Sequence, residues 1–133
     1  MKPIKILLAE DDLDDQKLFF DFLEDRDDIK LLPAVENGEE VLMALENIPA
    51  EQLPDLIILD QNMPRRNGLQ TIRKLKADER HKHIPMVIYS TYADQQLIKD
   101  ASESGVTKVL SKPITKEGYL RMMDDLIQTF FDR

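Results

Sequence analysis

Five short apolar runs, each followed by a stretch of helical period, constrain this chain more than any other feature. They lie at 4–9, 29–35, 56–59, 86–89 and 106–110, and Pro, Gly, Asp or Asn punctuates the segments around them. Between the runs, apolar residues recur at helical spacing. Phe19, Phe20, Phe22 and Leu23 do so within 13–24, Leu69, Ile72 and Leu75 within 68–77, Leu97, Ile98 and Ala101 within 94–104, and Leu120, Met123, Ile127 and Phe130 within 116–131. A further helix is expected around 39–46. Strand then helix, five times over, is the pattern of a parallel sheet covered by helices on both faces. The run 56–59 is uninterrupted, as a central parallel strand should be. Pro33 cannot donate to a ladder, so the second run belongs at an edge. Asp12 is the expected N-cap of the first helix and Gly105 the stop of the fourth.

At 133 residues the chain is about the size of one ordinary domain. A single domain over 1–133 is therefore expected, α/β and doubly wound, with the flavodoxin-like strand order 2-1-3-4-5. No apolar run approaches the roughly 20 residues that span a bilayer, and 4–9 is too short for a secretory signal. The expected location is cytoplasmic, with no membrane contact. Acidic residues outnumber basic ones 26 to 18, and the net charge of −8 disfavours non-specific attraction to nucleic acid or anionic lipid. The absence of cysteine excludes disulfides, thiolate catalysis and cysteine-ligated zinc.

In an open parallel sheet, ligands bind beyond the carboxyl ends of the strands, beside the point where strand order reverses. Glu10, Asp11 and Asp12 follow the first run, Asp60 the third, Ser90 and Thr91 the fourth, and Lys112-Pro113 the fifth. The carboxylates after strands one and three should share one crevice, where their repulsion is costly unless a cation or Lys112 compensates it. Mg²⁺ suits such hard oxygen ligands and uses few of them. A carboxylate held beside it can attack phosphorus and form an aspartyl phosphate, with cation and lysine neutralising the transferred group. Ser90 adds a hydroxyl donor for phosphoryl oxygens.

The acidic pair after strand one, Asp60 within Asp60-Gln61-Asn62-Met63-Pro64 with Gly68 following, Ser90-Thr91 and Lys112-Pro113 together resemble the receiver domains of two-component systems. The likeness covers essentially the whole chain. It extends to stand-alone regulators of the chemotaxis type and to the short regulators that work beside phytochrome-type sensor kinases. The resemblance implies that Asp60 accepts a phosphoryl group from a sensor histidine kinase or a histidine phosphotransfer protein. It further implies Mg²⁺ on Asp11, Asp60 and the backbone carbonyl of Asn62, with Glu10 acting mainly through a metal-bound water. Ser90, with Thr91 beside it, would turn toward the phosphoryl oxygens, and Lys112 would pair with them. The Lys112-Pro113 bond is expected to be cis. Asn62 and Tyr92 match positions that set the lifetime of the phosphoryl group.

Many receivers carry Tyr or Phe three residues before this lysine, where this chain has Val109. The switch is therefore expected to run through the fourth strand and its loop, with Tyr89 or Tyr92 as carriers. With no output domain expected, the response passes to an unidentified protein target, and a homodimer is an option. In receivers that contact often uses the fourth helix, fifth strand and fifth helix. Self-catalysed uptake and loss of phosphate would be the only enzymatic property.

Two other classes fit less well. An aspartate-nucleophile phosphatase of haloacid dehalogenase type places its nucleophile after the first strand with a second Asp two residues on, whereas these strand-one acids are consecutive and Asp60 stands alone. An interaction module that never turns over phosphate would not need the whole acceptor set. A nucleotide site is weaker still, with no Gly-rich loop and only four glycines. Simpler readings apply elsewhere. His81 and His83 are expected in a solvated loop without a role. Met122, Met123, Phe130 and Phe131 exceed one helical face and suggest an exposed partner surface. Arg65-Arg66 either steers an acidic partner or solvates a loop.

Overall fold

The computed structural model describes residues 2–106 and 108–133. The apolar runs become β1 (Ile4–Ala9), β2 (Ile29–Leu31), β3 (Leu56–Asp60), β4 (Met86–Ser90) and β5 (Lys108–Ser111). The helical segments become α1 (Leu13–Leu23), α2 (Gly38–Glu46), α3 (Gly68–Lys76), α4 (Gln95–Glu103) and α5 (Lys116–Phe131), with a 3-10 turn at Ala50–Gln52. The strands form one parallel sheet in the order β2-β1-β3-β4-β5. This is the expected flavodoxin-like fold.

Because successive strand residues point to opposite faces, each strand supplies two cores. Ile4, Ile6, Leu8, Leu56, Ile58, Val87 and Tyr89 pack with α1 and α5, through residues such as Phe19, Leu23, Tyr119 and Met123. Leu7, Ala9, Ile57, Leu59, Met86 and Ile88 pack on the other side with α2, α3 and α4, through Val41, Leu45, Ile72, Leu75 and Ala101. The helices start where side chains satisfy their free N–H groups: Asp12 accepts from Asp14 and Asp15, Asn37 from Glu40, Asn67 from Gln70, Asp94 from Leu97 and Thr115 from Gly118. Each such cap is worth about 1 kcal/mol. At the far end of α4, Gly105 takes φ +83, the left-handed stop that glycine makes without strain.

Several boundaries differ from the sequence reading. The second run breaks at Leu31 because Pro33 brings no N–H. Pairing with β1 resumes beyond it, with the Val35 N–H donating to Leu8 O at 3.0 Å and the Glu10 N–H donating to Val35 O at 2.9 Å. The fifth strand begins at Lys108, and the expected start at 106 and 107 touches Thr107, which lies outside the described residues. In α4, Ala101 is buried but Ile98 is 50% exposed. One residue along a helix turns about 100°, and α4 buries only a narrow stripe. The surplus of large residues in α5 is not a free surface, since Met122 and Met123 are buried and Phe130 and Phe131 pack partly against the α1–α5 core. That face is wider than expected because Tyr119, Met122 and Leu126 join Met123 and Ile127 on it.

His81 also departs from expectation. It is only 3% exposed, while His83 faces solvent. The turn that follows α3, in which the His81 and Lys82 N–H groups donate to Asp78 O and the Ile84 N–H donates to His81 O, folds the imidazole inward. Arg66 is paired with Glu39 at 2.8 Å rather than free to steer a partner. Among the described residues, no helix is long and apolar enough to cross a membrane.

Candidate functional site

Strand parity decides which strand-end residues meet. Asp60 is in register with Tyr89, and Tyr89 with Leu110. These residues point toward the α1–α5 side, as does Leu8 on β1. Glu10 and Lys112, two residues beyond Leu8 and Leu110, keep the same sense. Lys112 therefore lies back across β4, and its Nζ sits 2.8 Å from Glu10 Oε1 and 3.2 Å from Asp60 Oδ2. Both acids are buried, at 0% and 5% exposure.

Glu10 is held from three directions. Its Oε1 also accepts a 2.7 Å hydrogen bond from the Tyr89 hydroxyl, and its Oε2 accepts the Asp12 N–H at 3.2 Å. Asp60 Oδ1 accepts the Asn62 N–H at 3.4 Å. Asp11 stands exposed at the rim, and one carboxylate oxygen from each of Glu10, Asp11 and Asp60 lies within 4.8 Å of the others. Such crowding of carboxylate oxygens is the donor set of a hard divalent cation. Asp15, on the first turn of α1, places Oδ2 3.0 Å from Lys112 Nζ. The four carboxylates against one ammonium leave three negative charges when all are ionised, and the donor set fits Mg²⁺.

Electrostatics follow from burial. Desolvation raises the Glu10 carboxyl above its ordinary value despite hydrogen bonds from Lys112 and Tyr89 that pull it down. For Lys112, burial opposes the charged form most strongly. Hydrogen bonds to Glu10 and Asp15, with the charges of Glu10 and Asp60, outweigh it and hold the ammonium above its ordinary range. The Tyr89 phenol is pushed up first by burial and then by the charge of Glu10.

Gly68 lets the loop after Asp60 close on itself: a Cβ there would lie 2.7 Å from the Asp60 carbonyl oxygen. The Gly68 N–H donates to Gln61 O at 3.1 Å, and Arg65 in the same loop takes φ 67, an uncommon angle for a side chain of its size. Ser90 is buried, and its hydroxyl and the backbone of Tyr92 exchange hydrogen bonds of 3.3 Å. Thr91 and Tyr92 are exposed.

Residues 6–124 match the family described as the response regulator receiver domain. This chain belongs to that family. Among solved receivers, the phosphorylated cyanobacterial phytochrome response regulator RcpA superposes with a TM-score of 0.82 at 25% identity, covering 97% of this chain and 94% of that one. The Mn²⁺-bound form of the response regulator Rcp1 gives 0.78 at 26% identity, with the same coverage. A protein-glutamate methylesterase/protein-glutamine glutaminase from Clostridium acetobutylicum is 30% identical over 131 residues, covering 96% of this chain but 36% of its own length. The chain thus spans only about a third of that relative.

Within this receiver, the structure brings Glu10, Asp11, Asp60 and Lys112 into one cluster, and Asn62 beside it. Ser90 faces the α2–α4 side, engaged with Tyr92. One expectation is corrected: the Lys112-Pro113 bond is trans, with no cis peptide among the described residues. Trans is the lower-energy isomer by about 0.5–1 kcal/mol, and Lys112 meets Glu10, Asp15 and Asp60 with it. Val109, where many receivers carry an aromatic ring, is half-buried against the α2–α4 core. The sequence gives no role to Asp15, and it names Tyr89 only as one of two carriers of the switch, not as a partner of Glu10. Asp15 follows the N-cap Asp12 by three residues, which sets it on the first turn facing the crevice. Tyr89 shares the parity of Val87 and stands beside Asp60.

Proposed function

We propose that this receiver takes a phosphoryl group onto Asp60 from a sensor histidine kinase or a histidine phosphotransfer protein, and signals through contact with another protein. The observation that carries this reading is the Lys112 ammonium set between Glu10 and Asp60 beside a cluster of carboxylates with excess negative charge. Glu10, Asp11, Asp60 and the carbonyl of Asn62 would hold Mg²⁺, which when bound supplies positive charge to the phosphoryl oxygens. An oxygen of Asp60 attacks phosphorus as the bond to the donor's leaving group breaks in line. Lys112, already 3.2 Å from Asp60 Oδ2, neutralises the arriving charge. Ser90 leaves its local bond with Tyr92 and donates its hydroxyl to a phosphoryl oxygen. Asn62 and exposed Tyr92 flank the path by which water reaches the acyl phosphate and so influence its lifetime.

The phosphorylated state named for RcpA and the metal-bound state named for Rcp1 support the same chemistry here, at 25% and 26% identity. A cytoplasmic location and a role confined to self-catalysed phosphate turnover accompany this reading. The test is incubation with a small phosphodonor and Mg²⁺, reductive trapping of the acyl phosphate, and peptide mapping. Label on Asp60 is expected. Label elsewhere, or none even from a phosphohistidine donor, overturns it.

A further inference from the structure

We infer that Tyr89 is a positioning residue of this site, holding Glu10 in place for the cation while Lys112 is redirected to the phosphoryl group. This rests on the function proposed above. Glu10 has no exposure, so losing a donor to it is costly unless another group takes its place. Its Oε1 has two donors, Tyr89 and Lys112, at 2.7 and 2.8 Å. Lys112 also serves Asp15 and Asp60, and phosphorylation would exchange the single carboxylate charge of Asp60 for the nearly two of a phosphoryl group, a net gain of about one negative charge to draw it away. Tyr89 is then the donor left on Oε1.

The ring serves the lysine as well. Lys112 must cross β4 to reach Asp60 and Glu10, and it does so with Nζ 5.1 Å from the centre of the Tyr89 ring, within cation–π range. The ring is itself fixed by an edge contact with Phe19 at 6.3 Å and 77°, and Phe19 meets Tyr119 at 6.1 Å and 87°. Helices α1 and α5 thereby brace the hydroxyl that braces Glu10. The bland alternative is a core tyrosine whose hydroxyl takes the nearest acceptor. On that view removing the hydroxyl alters stability and nothing else.

Wild type, Tyr89→Phe and Tyr89→Leu separate the two. Mg²⁺ binding is measured by calorimetry at a temperature where near-ultraviolet dichroism shows all three folded, with thermal midpoints taken in metal-free buffer. Partners that orient metal ligands typically contribute about 10- to 100-fold in affinity, so Tyr89→Phe should bind Mg²⁺ about tenfold more weakly. Its uptake from acetyl phosphate should fall at limiting Mg²⁺ and recover at saturation. Tyr89→Leu should likewise recover uptake at saturation but lose the phosphorylation-driven change in hydrogen exchange of α4 and β5, since Lys112 has lost its ring. Wild-type Mg²⁺ affinity in Tyr89→Phe, or affinities that merely track the loss of thermal midpoint across both variants, would overturn the inference. Absence of Mg²⁺ binding in wild type would instead overturn the function on which it rests.

Discussion

Lys112 spans β4 to bring its ammonium within 3.2 Å of Asp60, and it is only 11% exposed where it does so. The same nitrogen contacts Glu10 and Asp15, so one cation balances acids from β1, α1 and β3. Replacing it with alanine leaves buried Glu10 short of a partner, and losing one member of a buried ion pair costs up to about 3–5 kcal/mol. Lys112→Ala should therefore lower the urea midpoint in metal-free buffer, with Mg²⁺ restoring part of the loss. Phosphoryl uptake should persist while the response is uncoupled. Hydrogen exchange in α4 and β5 should change on phosphorylation in wild type and stay unchanged in the variant. A wild-type exchange response in Lys112→Ala would contradict this.

Asp15 competes for the same lysine from the first turn of α1, with its side chain 31% exposed. At that exposure the pair is worth only about 0–1 kcal/mol to stability, so Asp15→Asn should fold normally. Removing its negative charge leaves the lysine to Glu10 and Asp60 and eases the approach of an anionic donor. The initial rate of uptake from acetyl phosphate should rise about two- to fivefold, corresponding to up to roughly 1 kcal/mol. An unchanged or slower rate would count against a competing role.

Gly68 sits where a Cβ would press to 2.7 Å on the carbonyl oxygen of Asp60 and 3.1 Å on Gln61 Oε1. Overpacking of this kind costs about 1–3 kcal/mol, more than the gain of up to about 1 kcal/mol from alanine's helix propensity. Gly68→Ala should be destabilised in urea unfolding and should slow uptake at Asp60 as the loop shifts. A variant as stable and as reactive as wild type would show that the loop has room the structure does not give it.

Away from the site, Arg26 bonds Asp28 and Asp124, both at 2.7 Å, and its hydrogen bond to Asp28 holds that carboxyl below the ordinary carboxylate value. A carboxyl lowered on folding adds stability that is present above its unfolded pKa and lost as pH falls through the lowered value. The wild type should therefore lose stability below about pH 4. Asp28→Asn should lose less over the same range while starting lower at neutral pH, as read from urea midpoints along a pH series. Equal losses in the two proteins would remove Asp28 from the acid response.

Much of this molecule can be read from its residues because strand ends are local features. Glu10, Asp11, Asp60, Ser90 and Lys112 each lie at or just after the end of an apolar run, and the sheet order that gathers them is the one expected of five alternating strands and helices, with which Pro33 at the edge and the unbroken run at 56–59 agree. Asp15 and Tyr89 were less accessible because their places depend on helix rotation and on register between strands. Tyr89 reads as one more apolar residue of β4 until Asp60 is paired beside it. Exposed Ile98 and buried His81 failed for a related reason: how much of a helix or turn is covered depends on its neighbours, not on its own period. The trans Lys112-Pro113 bond is a choice between isomers of similar energy, which the residue pair alone does not make.

The most direct measurement is intact mass after incubation with acetyl phosphate, with and without Mg²⁺, for wild type and Asp60→Asn. One phosphoryl adduct is predicted, present only in wild type and only with Mg²⁺. An Mg²⁺-dependent adduct retained in Asp60→Asn would contradict the assignment of Asp60 as the acceptor.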